Sequence, residues 1–333
     1  MIYNDKLQML NFEYLKNLNK EQKEAVSYLE GPLLIVAGAG SGKTKVLTSR
    51  IAHIIKSKKA YPNQILSVTF TNKASQEMQT RVSSMLKKEA IGLSWLGTFH
   101  SVSAKILRKH AGAVGLNSNF SIIDQDDQIR LIKNICKSEN IDIKKLAPNY
   151  ILSVINNWKN KGLYPEKVTL NKKNIFEKGI LNIYKIYQSK LIDLNACDFG
   201  DLILHCVNIF ENNKDILEIY SNNFKYILVD EYQDTNFIQS KWLNFLAKKH
   251  NNICCVGDDD QSIYSWRGAE IKNFLEFDKV YENTKIIRLE KNYRSTQNIL
   301  EVASELISNN QNRVGKNLET TKDTGDLVKL NCF

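Results

Sequence analysis

The sequence predicts an α/β fold in which a parallel β-sheet alternates with helices and is interrupted by a mostly helical insertion. Short apolar runs such as LLIVA at 33–37 and YILV at 226–229 are typical of strands buried on both faces. Each run ends in a polar or glycine-rich turn and leads into a helical pattern. From about 113 to 196 helical patterns prevail and strand patterns are few, which indicates the insertion.

The remaining elements follow from apolar spacing and turn residues. Apolar residues recur at helical spacing after the strand at 33–37. Apolar residues within the insertion show the same spacing. Residues 65–70 form a β-rich run, and Asn72 is expected to cap the next helix, which extends to about Leu86. Further strands are predicted at 253–256, 286–289 and 327–330. The helical patterns are Val46, Leu47, Ile51, Ile54 and Ile55; Ile129, Leu131, Ile132 and Ile135; and Ile180, Ile183, Tyr184 and Tyr187.

Charge is concentrated in the insertion. The 333 residues carry a formal net charge of +10, and twelve lysines face only four acidic residues between 133 and 190. Such a basic segment suits a polyanion such as nucleic acid, although a solvated lysine-rich surface gives the same composition.

Composition excludes several classes of protein. None of the six cysteines forms a CxxC pair and the five histidines lack metal-ligand spacing, so a structural zinc site and a disulfide framework are not expected. Cys254 and Cys255 lie in an apolar run and are expected in the core. No stretch approaches the length of a membrane span, and the first fifteen residues do not resemble a signal peptide. We therefore expect no membrane partner and a cytoplasmic location.

A phosphate-binding loop follows the first strand. Residues 37–44, AGAGSGKT, match the pattern GxxxxGK-S/T except that its first position is alanine. Backbone N–H groups of such a loop surround phosphate oxygens, and the next helix directs its positive end at them. Lys43 is expected to reach the β- and γ-phosphates of ATP, and Thr44 to bind Mg²⁺. The expected ATP-binding residues here are Ala37, Gly38, Ala39, Gly40, Ser41, Gly42, Lys43 and Thr44.

A pair of acidic residues ends the strand at 226–229. Phosphoryl transfer needs a second metal ligand and a group that orients water. We expect Asp230 to hold Mg²⁺ and Glu231 to act as the general base for the attacking water.

Residues 257–269, GDDDQSIYSWRGA, place an acidic run and Gln261 close to two aromatic residues. Gln261 could sense a phosphate, and Tyr264 and Trp266 could stack on bases. The alternative is a solvated acidic turn followed by a buried Tyr/Trp pair.

Six motifs in order make the chain similar to superfamily 1 DNA helicases of the UvrD/PcrA/Rep type over nearly its whole length. The nucleotide-site strand end VDEYQDTN (229–236) resembles motif II, and residues 257–269 resemble motif III. The other four are LNKEQKEAV (18–26, the Q motif), VTFTNKASQEM (68–78, motif Ia), GTFHS (97–101, motif Ib) and LEKNYRS (289–295, motif IV).

The resemblance implies a RecA-like fold and a role for each motif residue. It implies that Gln22 recognises adenine, that Tyr293 packs on it, and that Lys45 lies beside it. Gln261 would sense the γ-phosphate and Arg294 would be an arginine finger, joining Lys43 and Glu231 as catalytic residues. Single-stranded or partly duplex DNA would be contacted by Phe70, Thr98, His100, Tyr264, Trp266 and Arg267, the aromatic residues stacking on bases.

Two positions depart from the family pattern. Lys45 stands where an arginine is common, and a lysine stacks less well than a planar guanidinium group. Gly200, in CDFGDL at 197–202, stands where an acidic residue is common. Neither change removes a catalytic group.

The resemblance also implies a domain plan. A RecA-like ATP-binding motor domain is expected at 1–112 and 197–290, and an inserted DNA-binding helical subdomain at 113–196. Residues 291–333 would begin a second RecA-like domain, whose motifs V and VI are not found before Phe333. Translocation needs two domains that open and close across ATP.

Three functions remain open from the sequence. The first is an ATP-dependent helicase that moves 3′ to 5′ on single-stranded DNA, a polarity taken from the resemblance. The second is a fragment that binds ATP and DNA without autonomous helicase activity. The third is one part of a larger machine such as a helicase–nuclease. Repair or replication proteins are expected partners, but the sequence does not identify them.

Overall fold

The computed structural model describes residues 12–170, 175–310 and 313–331. The first eleven residues, which were considered for a signal peptide, and Cys332, one of the six cysteines, lie outside this range. Over the described residues, the chain divides into two compact units, one within 12–98, 221–235 and 247–331 and the other within 99–220 and 236–246.

The first unit is built on a six-stranded sheet. Its strands are β1 (Leu33–Ala37), β2 (Ile65–Thr69), β3 (Leu96–Thr98), β6 (Tyr226–Val229), β7 (Ile253–Gly257) and β8 (Lys285–Leu289). The strand order is β3-β2-β6-β7-β1-β8, and every neighbouring pair is parallel. The prediction of a parallel α/β sheet is therefore confirmed. Two further short strands, β9 (Lys291–Asn292) and β10 (Glu319–Thr320), pair in parallel with each other.

The helices of this unit precede, connect and follow its strands along the sequence. They are α1 (Glu13–Lys16), α2 (Lys20–Ser27), α3 (Lys43–Lys56), α4 (Asn72–Leu86), α12 (Ile271–Leu275), α13 (Phe277–Val280) and α14 (Gln297–Ser308). The predicted apolar stripe of α3 is buried, and Cys254 and Cys255 lie in the core as expected.

The second unit is mostly helical. Its helices are α5 (Phe99–Lys109), α6 (Gln125–Ser138), α7 (Pro148–Asn160), α8 (Ile175–Asp193) and α9 (Phe199–Asn212). Helices α10 (Lys214–Asn223) and α11 (Phe237–Ala247) lie mainly in this unit, and β4 (Ser121–Ile122) pairs with β5 (Ala196–Cys197). Buried residues of α6, α7 and α8, including Ile132, Ile155 and Tyr184, form its core.

Two expectations differ from the observed elements. The cap of α4 is Thr71, whose extended backbone lets its hydroxyl accept the Ala74 N–H at 3.1 Å, while Asn72 is already helical. Residues 327–330 do not form a strand; they are exposed, and no neighbouring strand pairs with them in the described chain. The predicted insertion at 113–196 falls within the helical unit, and the domain plan stays a prediction. In the described residues no helix is long and apolar enough to span a membrane.

A buried ion cluster joins α7 to α9 in the helical unit. The Lys159 ammonium group lies 2.7 Å from carboxylate oxygens of both Asp198 and Asp201, and all three side chains are almost fully buried. The Tyr187 hydroxyl donates to Asp198 at 2.8 Å. Burial alone would lower the pKa of Lys159, but the two carboxylates raise it above its usual value.

Gly200 is explained by this cluster. A Cβ atom at Gly200 would lie 3.0 Å from the Lys159 Cδ atom and 3.4 Å from an Asp198 oxygen. An acidic side chain there would crowd the lysine stem and bring a third carboxyl group to the cluster. The departure from the family pattern therefore matches the local packing.

Replacing Lys159 with alanine should strongly destabilise the protein, because two buried carboxylates would lose their cation. We expect the free energy of unfolding to fall by about 3–5 kcal/mol, measured by urea denaturation. The matched control is Lys161→Ala, an exposed position one residue past the same helix, which should change it by less than about 0.5 kcal/mol. Equal effects of the two substitutions would contradict the role of the cluster.

Candidate nucleotide and DNA site

The loop between β1 and α3 requires glycine at two positions. Gly40 and Gly42 have φ angles of 69° and 91°, in the left-handed region. A Cβ atom at Gly40 would meet Arg294 and Asn292 atoms within 3 Å, and one at Gly42 would lie 2.8 Å from the Gln22 amide nitrogen. Any larger residue would therefore push neighbouring side chains out of place and strain the turn.

The carbonyl groups of this loop are held by protein donors. The carbonyl of residue 38 accepts a hydrogen bond from Ser41 Oγ at 2.7 Å, and that of residue 39 accepts one from Asn292 Nδ2 at 2.6 Å. The carbonyl of residue 40 accepts the Tyr293 N–H at 3.0 Å, and that of residue 41 accepts Gln22 Nε2 at 2.9 Å. The N–H groups of the first turn of α3 have no acceptor within the helix. A loop with its carbonyls engaged and N–H groups at a helix start is suited to bind phosphate.

Lys43 connects this loop to the acidic pair after β6. Its Nζ atom lies 3.0 Å from Glu231 Oε2, and the lysine side chain is only 12% exposed. Glu231 has a left-handed backbone, with φ 50° and ψ 46°. The same carboxylate oxygen accepts a hydrogen bond from Gln233 Nε2 at 2.9 Å. The two predicted catalytic side chains therefore meet directly.

Asp230 is a buried carboxyl group at the end of β6. Burial, aided by the charge of Glu231, raises the pKa of Asp230 to about 7. Burial also raises the pKa of Asp234 to about 6. One Asp230 oxygen accepts the Glu231 N–H at 3.1 Å.

The donor set at this edge of the sheet fits Mg²⁺. A cation would offset the unfavourable burial of the Asp230 carboxylate, and carboxylate, hydroxyl and water oxygens are its usual ligands. Thr44, the other predicted ligand, lies in the first turn of α3.

Gln261 follows the acidic run after β7. Its side chain is exposed, and its Nε2 atom donates to Asp258. The backbone N–H of Asp258 donates to Gln233 Oε1 at 3.0 Å. Because Gln233 also contacts Glu231, the acidic run is linked by hydrogen bonds to the predicted catalytic pair.

The predicted adenine-side residues cluster around the start of α2. Gln22 is buried and forms a reciprocal capping box with Asn19, which also donates to the Tyr293 hydroxyl at 2.9 Å. The Lys45 ammonium group donates to the Asn17 carbonyl at 2.6 Å. Arg294 is exposed. Their contacts with a nucleotide stay predictions.

The aromatic residues after Gln261 are not part of the core. Trp266 is 73% exposed, and its ring lies 6.4 Å from that of Tyr264. The Arg267 guanidinium group lies over both rings, 4.7 Å from the Trp266 centroid and 5.3 Å from the Tyr264 centroid. The alternative of a buried Tyr/Trp pair is therefore wrong for Trp266.

The other predicted DNA contacts lie in different settings. Phe70 follows β2 and is partly buried, and Thr98, the last residue of β3, is buried. His100 lies in α5 of the helical unit, with its ring 5.9 Å from the more exposed ring of Phe199. Burial lowers the pKa of His100, which favours a neutral imidazole.

Three residues of this site were missed by sequence reasoning. Asn292 is fully buried; it donates to a carbonyl of the phosphate loop and accepts the Arg294 N–H. Gln233 bonds to residues that follow β6 and β7 and so links the ends of these two strands. Both lie inside quoted motifs, so their polar character near other site residues was the available signal. The third residue, Lys316, pairs with the acidic run after β7 and lies outside every motif.

Asp230 should make the stability of the nucleotide-free chain depend on pH. Its pKa is near 7 when folded and near 4 when unfolded, so between these values the folded chain holds a proton that the unfolded chain has lost. The free energy of unfolding should therefore fall as pH rises from about 4 to 7, by on the order of 2 kcal/mol. Asp234 contributes in the same direction up to about pH 6.

Denaturation across this pH range tests the expectation. Asp230→Asn should flatten most of the fall, and Asp278→Asn, an exposed control, should keep it. A fall that persists unchanged in Asp230→Asn would contradict the role of this carboxyl group.

Family profiles and known proteins match nearly the whole chain. The profile of the UvrD/REP helicase N-terminal domain matches residues 18–282, and that of the UvrD-like helicase C-terminal domain matches residues 287–333. A probable DNA helicase II homolog of Rickettsia conorii is 50% identical over 326 residues, covering 97% of this chain and 49% of its own length.

Two relatives from other bacteria give the same result. The ATP-dependent DNA helicases PcrA of Staphylococcus epidermidis and Bacillus subtilis are 48% and 46% identical, over 95% and 96% of this chain. The chain covers 43% of each of them, so it spans less than half the length of these relatives. With a family profile matching most of its length, the chain belongs to the UvrD/REP helicase family.

Proposed function

We propose that this chain carries the ATP-binding motor part of an ATP-dependent DNA helicase. The observation that supports this most is the contact of Lys43, from the phosphate loop, with Glu231 at the end of β6. It joins an anion-binding loop to an acidic pair suited to Mg²⁺ and water. The relatives named as DNA helicases extend the proposal to DNA as the substrate.

ATP would bind with its phosphates at the start of α3. The N–H groups of the loop and Lys43 would hold the β- and γ-phosphates, and the ammonium group would leave Glu231 for phosphate oxygens. Mg²⁺, held by Thr44 and Asp230, would neutralise phosphate charge when bound. Gln22, Lys45 and Tyr293 would contact the adenine.

Hydrolysis would use the carboxylate that Lys43 releases. Glu231, still held by Gln233, would accept a proton from the attacking water. Gln261 would contact the γ-phosphate, and Arg294 would stabilise charge in the transition state.

DNA would bind along the loops at the carboxyl ends of the strands. Bases of a single strand would stack on Trp266, Tyr264 and Phe70, with Arg267, Thr98 and His100 contacting the strand. The lysine-rich segment of the helical unit would attract the phosphate backbone. Movement would be 3′ to 5′, and the cellular role would be DNA repair or replication in the cytoplasm with partner proteins of those processes.

A second candidate is binding without unwinding. The relatives are more than twice as long as the matched region, and unwinding needs two motor domains that close across ATP. In this alternative, residues 1–112 and 197–290 bind ATP, residues 113–196 bind DNA, and residues 291–333 contribute the start of a second RecA-like domain.

Lys43→Ala should abolish ATP turnover while leaving the fold intact, because the charge that holds the γ-phosphate is lost. We expect hydrolysis stimulated by single-stranded DNA to fall about 100-fold or more. The control is Lys56→Ala on the same helix, whose ammonium group pairs with Glu89 at the surface. The helicase proposal fails if DNA does not stimulate the wild type, and the binding proposal fails if the wild type does not bind ATP.

Trp266→Ala should weaken binding of a labelled oligo-dT strand by roughly 5- to 150-fold, since one base would lose its stacking partner. ATP affinity without DNA should stay within about twofold. Tyr61→Ala removes an equally exposed aromatic residue, at 74% exposure, and should leave both affinities unchanged. Loss of ATP and DNA binding together would indicate a structural role for Trp266.

A further inference from the structure

Lys316 is buried within the acidic run of the motif III loop. Its ammonium group lies 2.6 Å from Asp258, 3.0 Å from Asp259 and 2.5 Å from Asp260, and its side chain is 2% exposed. Three neighbouring carboxylates could together hold a metal ion, but here the lysine supplies the cation.

The chain around Lys316 adds further bonds to the same run. The Arg313 guanidinium group forms a forked pair with Asp260 at 2.6 and 2.7 Å. The Val314 N–H donates to Asp259 at 2.8 Å. Residues 313–316 therefore contact the whole acidic run and supply it with two positive charges.

Asp258 connects this cluster to Gln261. One carboxylate oxygen of Asp258 receives the Lys316 ammonium group, and the other receives the Gln261 amide. A glutamine amide has two N–H donors, so one remains for a phosphate oxygen while Asp258 holds the other. The orientation of Gln261 therefore depends on the position of Asp258.

The charge of the run makes this dependence strong. Without a cation, three adjacent carboxylates repel each other, and they would also repel the γ-phosphate of an approaching nucleotide. Burial of Lys316 excludes water from the cluster and strengthens its attraction to the carboxylates. Gln261 can approach an anion only if this negative charge is compensated.

We propose that Lys316, together with Arg313, is a positioning residue for Gln261 and thereby sets how strongly the site distinguishes ATP from ADP. The inference rests on the proposed function. Residues 313–316 lie in the region matched by the C-terminal family profile, whereas 258–261 lie in the N-terminal one. The start of the second family domain thus completes the γ-phosphate sensor of the first.

Calorimetric titration of the full chain with Mg²⁺ and either ADP or the analogue AMP-PNP tests the proposal. Lys316→Ala should reduce the preference for AMP-PNP about tenfold, the effect of losing one hydrogen bond to a charged group. ADP affinity should stay within about twofold. Lys316→Arg should keep most of the preference because it restores the charge, and Lys329→Ala, an exposed lysine of the same segment, should keep all of it.

Amide hydrogen exchange gives a second measurement that does not depend on nucleotide. In Lys316→Ala, exchange should speed up in residues 258–268 but not at β1 or β6. The proposal is overturned if the nucleotide preference is unchanged, if ADP and AMP-PNP affinities fall equally, or if exchange in this loop stays as in the wild type. Binding of neither nucleotide by the wild type would instead refute the proposed function, and exchange would still decide whether Lys316 holds the loop.

Discussion

All six strands of the main sheet run in the same direction, and this constraint gathers the chemistry of the protein at one edge. The carboxyl ends of parallel strands open into loops on the same side. Every sheet strand except β7 and β8 is followed at once by, or ends in, a predicted nucleotide or DNA residue. The chain after β7 reaches Gln261, and the chain after β8 reaches Tyr293 and Arg294. The interior strands β1 and β6 bring Lys43 to Glu231, 188 positions apart, at 3.0 Å.

A continuous set of polar contacts extends from that ion pair. Glu231 bonds to Gln233, Gln233 to the backbone of Asp258, and Asp258 to both Gln261 and Lys316. Gly257 lacks a side chain where a Cβ atom would lie 2.5 Å from Gln233 Oε1, so the link requires that glycine. Tyr264 and the exposed Trp266 follow Gln261 by three and five residues. These contacts are the path by which we propose that a change at the phosphates reaches the aromatic residues.

The sequence predicts the elements better than their detailed contacts. Apolar runs and turn residues were enough to place the helical stripes and five strands of the main sheet, because burial on a sheet or helix face has a regular spacing. The short strand β3 was not predicted. The cap at Thr71 was missed by one residue because capping depends on backbone angles. Lys316 could not be found at all: its three carboxylate partners lie 56 to 58 positions earlier, and a lysine near the chain end reads as solvated surface. The strand expected at 327–330 failed because apolar residues form a strand only where another strand pairs with them.

If nucleotide state and DNA binding are coupled within this chain, each ligand must change the affinity for the other. The most direct measurement is the dissociation constant for a fluorescent oligo-dT strand, determined by anisotropy with and without saturating AMP-PNP and Mg²⁺. We expect this constant to change about fivefold or more, and we expect DNA to change the affinity for AMP-PNP by the same factor. Identical DNA affinities in the two states, with both ligands bound, would contradict this coupling.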